Sequence, residues 1–166
     1  MRVIRKAFAS ISSASGSAPS SASGDIREGR NRLLLLAHPD HPEAGLQVPA
    51  GTMEPGEAPE DAALREAREE TGLTDLMIVA FLGRQSFDLR PFGRDEVHDR
   101  WFFHLSCGAE TPERWRVWET TPATDEPPIR FELFWAPLNE TLPSLIAGHD
   151  RFIPELIASL RPRRVA

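Results

Sequence analysis

A chain of 166 residues, 40% hydrophobic and 27% charged, has room for one ordinary domain with a real core, here taken as 1–166, and leaves little for a second. A formal net charge of −6 argues against a nucleic-acid surface held by bulk electrostatics, while a small phosphorylated ligand stays open; a single cysteine, Cys107, excludes an internal disulfide and a cysteine cluster for zinc. No apolar run approaches the roughly 18 residues that span a bilayer, so a soluble, cytoplasmic protein that binds neither membrane nor polynucleotide is expected.

Met1 to Gly24 holds Arg2, Arg5 and Lys6, many Ser and Ala and no acid, a composition that imitates an organellar transit peptide. Val3, Ile4, Ala7, Phe8 and Ile11 argue instead for a strand, followed by a flexible Ser/Ala/Gly-rich connection over 12–24 with too little apolar surface to fold. Arg32 to Ala37 carries the run LLLL between polar and turn residues and predicts a strand buried on both faces. His38 to Gly45 holds two histidines and two acids, but Pro39 and Pro42 break the local geometry, and a plain surface loop is expected. Leu46 to Pro49 reads as a short strand leading into Ala50 and Gly51, where backbone must approach a ligand closely.

Pro59 suits a first helical turn and Gly72 the position just past a helix end, which brackets a helix over Pro59 to Thr71. At about 100° per residue, Glu66, Glu69 and Glu70 share one arc with Ala62; Ala63, Leu64, Ala67 and Thr71 form a packing arc; Asp61, Arg65 and Arg68 form a solvated one. The three carboxylates repel by roughly 0.2–0.5 kcal/mol per close pair, and the small Ala62 beside them leaves space for something positive. Hard carboxylate oxygens with no His or Cys suit Mg²⁺, or Mn²⁺ in its place, better than Zn²⁺. The bland alternative is a solvated acidic stripe. Ala58 stands where Ser or Thr would cap the helix, a loss of roughly 1 kcal/mol that Glu60 and Asp61 partly offset through the helix dipole.

Leu76 to Arg84 and Trp101 to Leu105 read as strands, joined through the charged stretch Ser86 to Arg100 around Pro91 and Gly93 into a hairpin near the acidic helix. Arg84, Arg90, Arg94 and Arg100 are candidate phosphate contacts, because guanidinium forks suit phosphate oxygens; a solvated surface is the alternative for each. Cys107, after a strand-like run, reads as a small buried apolar group rather than a nucleophile. Glu110 to Pro128 is polar and Pro-bearing, a long loop over the site or an additional short segment, and its Trp115 and Trp118 are equally suited to stacking on a base and to packing. Ile129 to Leu138 alternates Phe131, Leu133 and Trp135 against Arg130, Glu132 and Phe134, a strand. Leu142 to Gly148 and Arg151 to Leu160 read as two short helices, and RPRR near the end as a basic tail. This order fits an α/β sandwich with a mixed sheet.

Gly51, Glu57, Arg65, Glu66, Ala67, Glu69, Glu70, Gly72 and Leu73 reproduce without a gap the pattern of the Nudix box. At average residue usage, its seven fixed positions coincide by chance about once in 10⁸ starts, so the solvated-stripe reading gives way. The chain resembles the Nudix hydrolase family, and the likeness implies a Nudix-like α/β/α sandwich with a mixed β-sheet. It implies hydrolysis of a pyrophosphate bond, with Glu66, Glu69 and Glu70 as catalytic and metal-holding residues and the Ala50 carbonyl joining the metal shell. Glu57 is then expected to bond Arg65 and hold the loop against the helix, a supporting task of the kind metal sites depend on. The general base of related enzymes comes from the box or from a separate loop, which leaves Glu66, Glu96, Glu119 and Glu132 open. The small-molecule partner that the resemblance implies is a nucleoside diphosphate linked to another moiety, ADP-ribose-like or nucleotide-sugar-like; PAG before the box and Pro91 18 residues after Leu73 are similar to ADP-ribose pyrophosphatases, and the linked group stays open. Alternatives are cleansing of the nucleoside triphosphate pool and a non-catalytic nucleotide sensor; a homodimer stays open.

Overall fold

The computed structural model describes residues 1–14, 31–119 and 128–160. Its strands are β1 (Arg2–Ala14), β2 (Asn31–Ala37), β3 (Ala50–Thr52), β4 (Leu76–Asp88), β5 (Glu96–Cys107), β6 (Arg114–Glu119) and β7 (Ile129–Pro137); its α-helices are α1 (Pro59–Thr71) and α2 (Ile153–Ser159). The sheet runs β4-β5-β1-β2-β7-β6, with β3 added to β1. It is mixed: β1 and β5 run parallel and the other pairs are antiparallel.

The alternation of β1 sorts its side chains to two cores. Ala7, Ala9 and Ile11 join Leu34, Phe103, Leu105 and Leu133 under Ala62, Ala63 and Ala67 of α1. Phe8 joins Leu33, Leu35, Phe102 and Ala136 on the other face, covered by Phe152 and Leu156. The four leucines of β2 are at most 2% exposed, as expected of a strand covered on both sides, each such side chain stabilising the fold by about 1.5–3 kcal/mol. A helix on each face makes the expected α/β/α sandwich. None of the described helices is long and apolar enough to cross a membrane.

β1 divides its pairing. Ser12 to Ala14 face β2, while Lys6 to Phe8 face β3. Ser12, Ser13 and Ala14 therefore belong to a strand rather than to the expected loop, because the ladder satisfies their backbone and the Ser12 hydroxyl meets His104 Nε2 at 2.8 Å; the rest of that tract, 15–24, lies outside the described residues.

Several other expectations change. Leu46 to Pro49 forms no strand but one bridge, Gln47 with Leu36; Pro49 has no N–H for a ladder, and pairing starts at Ala50. The hairpin strands extend to Asp88 and from Glu96, leaving only a short connection with a 3₁₀ turn at Arg90–Phe92. Charge made that stretch read as loop, yet His98 and Arg100 alternate into the second core with Phe102 and His104. Within Glu110 to Pro128, the short-segment alternative holds as β6: Trp115 and Val117 pack on the α1 side, and Trp118 points outward, 55% exposed. Residues 120–127 lie outside the description, as does the basic RPRR segment. Leu142 to Gly148 is helical only as a 3₁₀ turn at Ile146–Gly148, since Pro143 interrupts it and the Ile146 N–H bonds the Leu46 carbonyl at 2.9 Å. α2 begins at Ile153, two residues later than expected. Cys107 is half-buried and packs against the first core.

Candidate active site

β3 has one paired edge and one free one. The Pro49 carbonyl accepts from Ala9 N–H at 2.8 Å and Met53 N–H donates to the Arg5 carbonyl at 3.0 Å, so the intervening Ala50 and Thr52 turn their N–H and C=O groups away from β1. The box helix fills that free edge. Ala50 N–H donates to Glu70 Oε2 at 2.9 Å, and Arg65 Nη2 donates to the Thr52 carbonyl at 3.1 Å. The Ala50 carbonyl shares the edge with its N–H and so opens beside Glu70.

Gly51 makes this approach feasible. A Cβ there would fall 1.8 Å from the Glu66 carboxyl carbon, so the Glu66 carboxylate occupies the space a side chain would need. The alanines of α1 complete the fit: Ala62, Ala63 and Ala67 are fully buried, and helix backbone lies close to sheet backbone. Ala58 makes no side-chain cap, Pro59 opens the first turn, and Gly72 ends the helix at φ 73°.

Arg65 ties the site together. Its Nε and Nη2 donate to the two Glu57 oxygens at 2.9 and 3.0 Å, and its Nη1 donates to Glu66 Oε1 at 2.8 Å and to Glu69 Oε2 at 3.1 Å. Helical spacing puts Arg65 on a solvated arc, but its flexible stem carries the guanidinium back over the acids, where it bridges Glu66 and Glu69. Glu57 also accepts from Glu54 N–H at 2.8 Å; Arg65 first, and that backbone bond second, hold its carboxyl at about 2. Glu57 and its bonds hold Arg65 charged. Burial pushes Glu66 up, with Arg65 opposing.

Among the described residues, no three of His, Cys, Asp and Glu converge on one metal-holding point. Glu66 and Glu69 turn to Arg65, and Glu70 to Ala50. The donors nonetheless fit a hard divalent cation in kind, all being carboxylate or carbonyl oxygen, and Arg65 Nη1 already lies between Glu66 and Glu69 as a positive bridge.

The other candidate bases lie elsewhere. Glu96 is on the second face, paired with Arg94 at 2.8 Å and 3.5 Å from His98 Nε2. Glu132 stands on that same face towards the β6 edge, held by Arg114 at 2.5 Å and Arg116 at 3.2 Å. Glu119 ends β6 opposite Ile129. Of the four arginines, Arg84 pairs with Asp99 at 2.5 Å and stacks 4.4 Å from the Trp101 ring, Arg90 pairs with Asp88 at 2.6 Å, and Arg94 with Glu96.

Arg100 differs. It is 3% exposed, lies 3.8 Å from the Phe87 ring centre and 5.2 Å from that of Phe8, and donates from Nη1 to the Ala147 carbonyl at 2.6 Å. Its Nε is buried without a hydrogen-bond partner among the described residues. Burial lowers its pKa to about 10. Beside it stands Lys6, its Cα partner across the β1–β5 ladder, half-buried and in electrostatic reach of Glu66 and Glu70. In the sequence Lys6 stands out only as one of three basic residues near the N-terminus. The available signal was strand alternation, which puts Lys6 on the inward face with Phe8.

The NUDIX domain family matches this chain over residues 19–156. Among solved structures, the chain is similar to the MutT protein from Methanosarcina mazei Go1, at 18% identity over 96% of this chain and 97% of that one, with a TM-score of 0.59. The NUDIX domain of Shewanella oneidensis NrtR, solved complexed with ADP ribose, aligns at 16% identity over 97% and 90%, with a TM-score of 0.60. A UDP-X diphosphatase aligns at 16% identity over 96% of this chain and 63% of its own, with a TM-score of 0.58. These likenesses describe a shared fold.

Proposed function

The chain belongs to the NUDIX family of hydrolases, and from that premise we propose that it cleaves the pyrophosphate bond of a nucleoside diphosphate linked to another moiety, with Mg²⁺ as cofactor and Mn²⁺ as its substitute. The observation that carries this reading is the packing of Glu66 against Gly51 and of Glu70 against the Ala50 N–H, which brings acids of the helix to a free strand edge. Glu66, Glu69, Glu70 and the Ala50 carbonyl would hold the cation, which when bound polarises phosphoryl oxygens and makes water a better nucleophile. A box carboxylate takes the proton of the attacking water. Glu57 keeps Arg65 in place, and Arg65 in turn restrains Glu66 and Glu69 until a stronger positive charge competes for them.

The substrate class is supported by two similar folds, one solved with ADP ribose and the other that of a UDP-X diphosphatase. Intact Glu66, Glu69 and Glu70 favour turnover over a silent sensor. β1 lies outside the matched range yet pairs with β3 beneath the site, which supports treating residues 1–166 as one domain.

The test is a panel of nucleoside diphosphate sugars, ADP-ribose and nucleoside triphosphates assayed with Mg²⁺, with Mn²⁺ and with chelator. Two monophosphate products from a linked diphosphate, lost on chelation and reduced at least about 100-fold in Glu70→Gln, are expected. Pyrophosphate release from triphosphates alone would favour the pool-cleansing activity, and Glu70→Gln turning over like the parent would remove the proposal.

A further inference from the structure

Behind β3, on the face opposite α1, lies a group of basic side chains that the box does not use. Lys6, Phe8 and Arg100 share that face, Lys6 and Arg100 being partners in the parallel ladder and Arg100 stacking over Phe8. His98 joins them, with Arg100 Nη2 3.5 Å from its Nδ1. His149 closes the group, meeting the Phe8 ring at 4.8 Å and accepting from Val48 N–H at 3.2 Å.

One carboxylate reaches this group, that of Glu96, 3.5 Å from His98 Nε2, but it is taken by Arg94 at 2.8 Å. Among the described residues neither Lys6 nor Arg100 forms an ion pair, whereas Arg84, Arg90 and Arg94 each have a carboxylate within 2.8 Å. A buried guanidinium with an unused Nε is costly to a fold. Its carbonyl acceptor is costly too, because Ala147 is the one described non-glycine residue with positive φ, at 52°. Strain and uncompensated charge held together beside a catalytic edge point to a ligand rather than to stability.

The missing partner is an anion, and the place selects it. Lys6 is the ladder partner of Arg100 on β5 and of Thr52 on β3, whose carbonyl holds Arg65, so it stands between the box and the cationic group. Positive charge at that place suits the phosphoryl group of a pyrophosphate that the box acids do not engage. We propose that Lys6 is a substrate contact that holds the phosphoryl group not engaged by the box, with Arg100 behind it as a fixed positive charge. This rests on the hydrolase reading for its substrate, but the seat itself is independent of metal.

That independence supplies the test. Calorimetric titration of inorganic pyrophosphate into the full chain, in chelator, reads the seat without turnover. The parent is expected to bind, Lys6→Met to bind at least tenfold more weakly, Lys6→Arg to recover most of the affinity, and Arg68→Met, an equal charge loss on the outer side of α1, to match the parent. Thermal melts of all four must coincide for the comparison to count, and Lys6→Gln replaces Lys6→Met if the latter melts early. In steady state with the substrate found by the panel, Lys6→Met should raise KM at least tenfold with kcat changed less than about threefold, the mark of lost binding common to ground and transition states. Unchanged pyrophosphate binding in Lys6→Met, or a parent that does not bind pyrophosphate in chelator, overturns the proposal and leaves the hydrolase reading intact if Glu70→Gln still abolishes turnover. Lys6-dependent binding in a chain that hydrolyses nothing on the panel keeps the seat and removes the hydrolase reading.

Discussion

At Gly51 the absence of a side chain decides where Glu66 can lie. Because a Cβ would sit 1.8 Å from the Glu66 carboxyl carbon, Gly51→Ala must push the carboxylate outward, and displacements of about 1 Å at a reacting centre cost about 100-fold in rate. Hydrolysis by Gly51→Ala is expected to fall by at least about that factor, while circular dichroism stays that of the parent; unchanged kcat/KM would show that Glu66 need not stay where it is. Glu57 carries a second prediction. Arg65 lowers its carboxyl from 4.5 to about 2, so the folded state releases this proton more readily than the unfolded chain. The stabilisation is complete above pH about 4.5 and lost as pH falls towards 2. Glu57→Gln removes it, and the gap between parent and variant in urea midpoint should narrow from pH 6 to pH 3. A gap of constant size would mean the Arg65 pairing contributes little.

On the scale of elements, α1 is limited at both its start and its face. Ala58 holds an extended cap conformation, φ −72° and ψ 145°, with no side-chain acceptor, so Ala58→Ser should add about 1 kcal/mol by satisfying a first-turn N–H. Ala67 is fully buried against the sheet, and Ala67→Leu should cost about 1–3 kcal/mol through overpacking. Denaturant unfolding of the two variants reads both signs; equal midpoints would refute the close helix-to-sheet contact on which the position of Glu66 and Glu70 depends. The hairpin of β4 and β5 shows a related economy of space. A Cβ on Gly83 would come within 2.1 Å of the Phe152 ring, so α2 covers the second core only because β4 carries no side chain there.

For the whole molecule, buried histidines set the response to acid. His104 lies between Ser12 and Ser159 hydroxyls at 2.8 Å each, and burial lowers it from 6.5 to about 4. Burial and then Arg100 lower His149 to about 3; burial, Lys6 and Arg100 lower His98. In each case the fold prefers the neutral ring, and the unfolded chain takes up protons first as pH drops below 6.5. Stability is therefore full above that pH and declines towards pH 4, with a limiting slope of about 1.4 kcal/mol per pH unit for each proton. Urea midpoints should fall measurably between pH 7.5 and pH 5; a flat profile over that range would contradict neutral buried rings.

What was legible beforehand was what neighbouring residues decide among themselves. Pro59 and Gly72 bracket a helix with the bounds found, the four leucines of β2 announce a strand covered on both sides, and the spacing of the box acids puts them on one side of α1. β6 was harder, because its Trp and Arg residues, taken one at a time, suit a loop as well as an edge strand. Arg65 was placed by helical angle on the solvated arc, and only the nearby acids and the Thr52 carbonyl turned its head inward. Tertiary pairing alone made Lys6 a neighbour of Arg100 and Thr52, and made His98 and Arg100 interior residues of a long strand. Periodicity and caps act over a few residues of chain, whereas the field at a site is the sum of charges that the sheet gathers from distant stretches, and no local pattern encodes that sum.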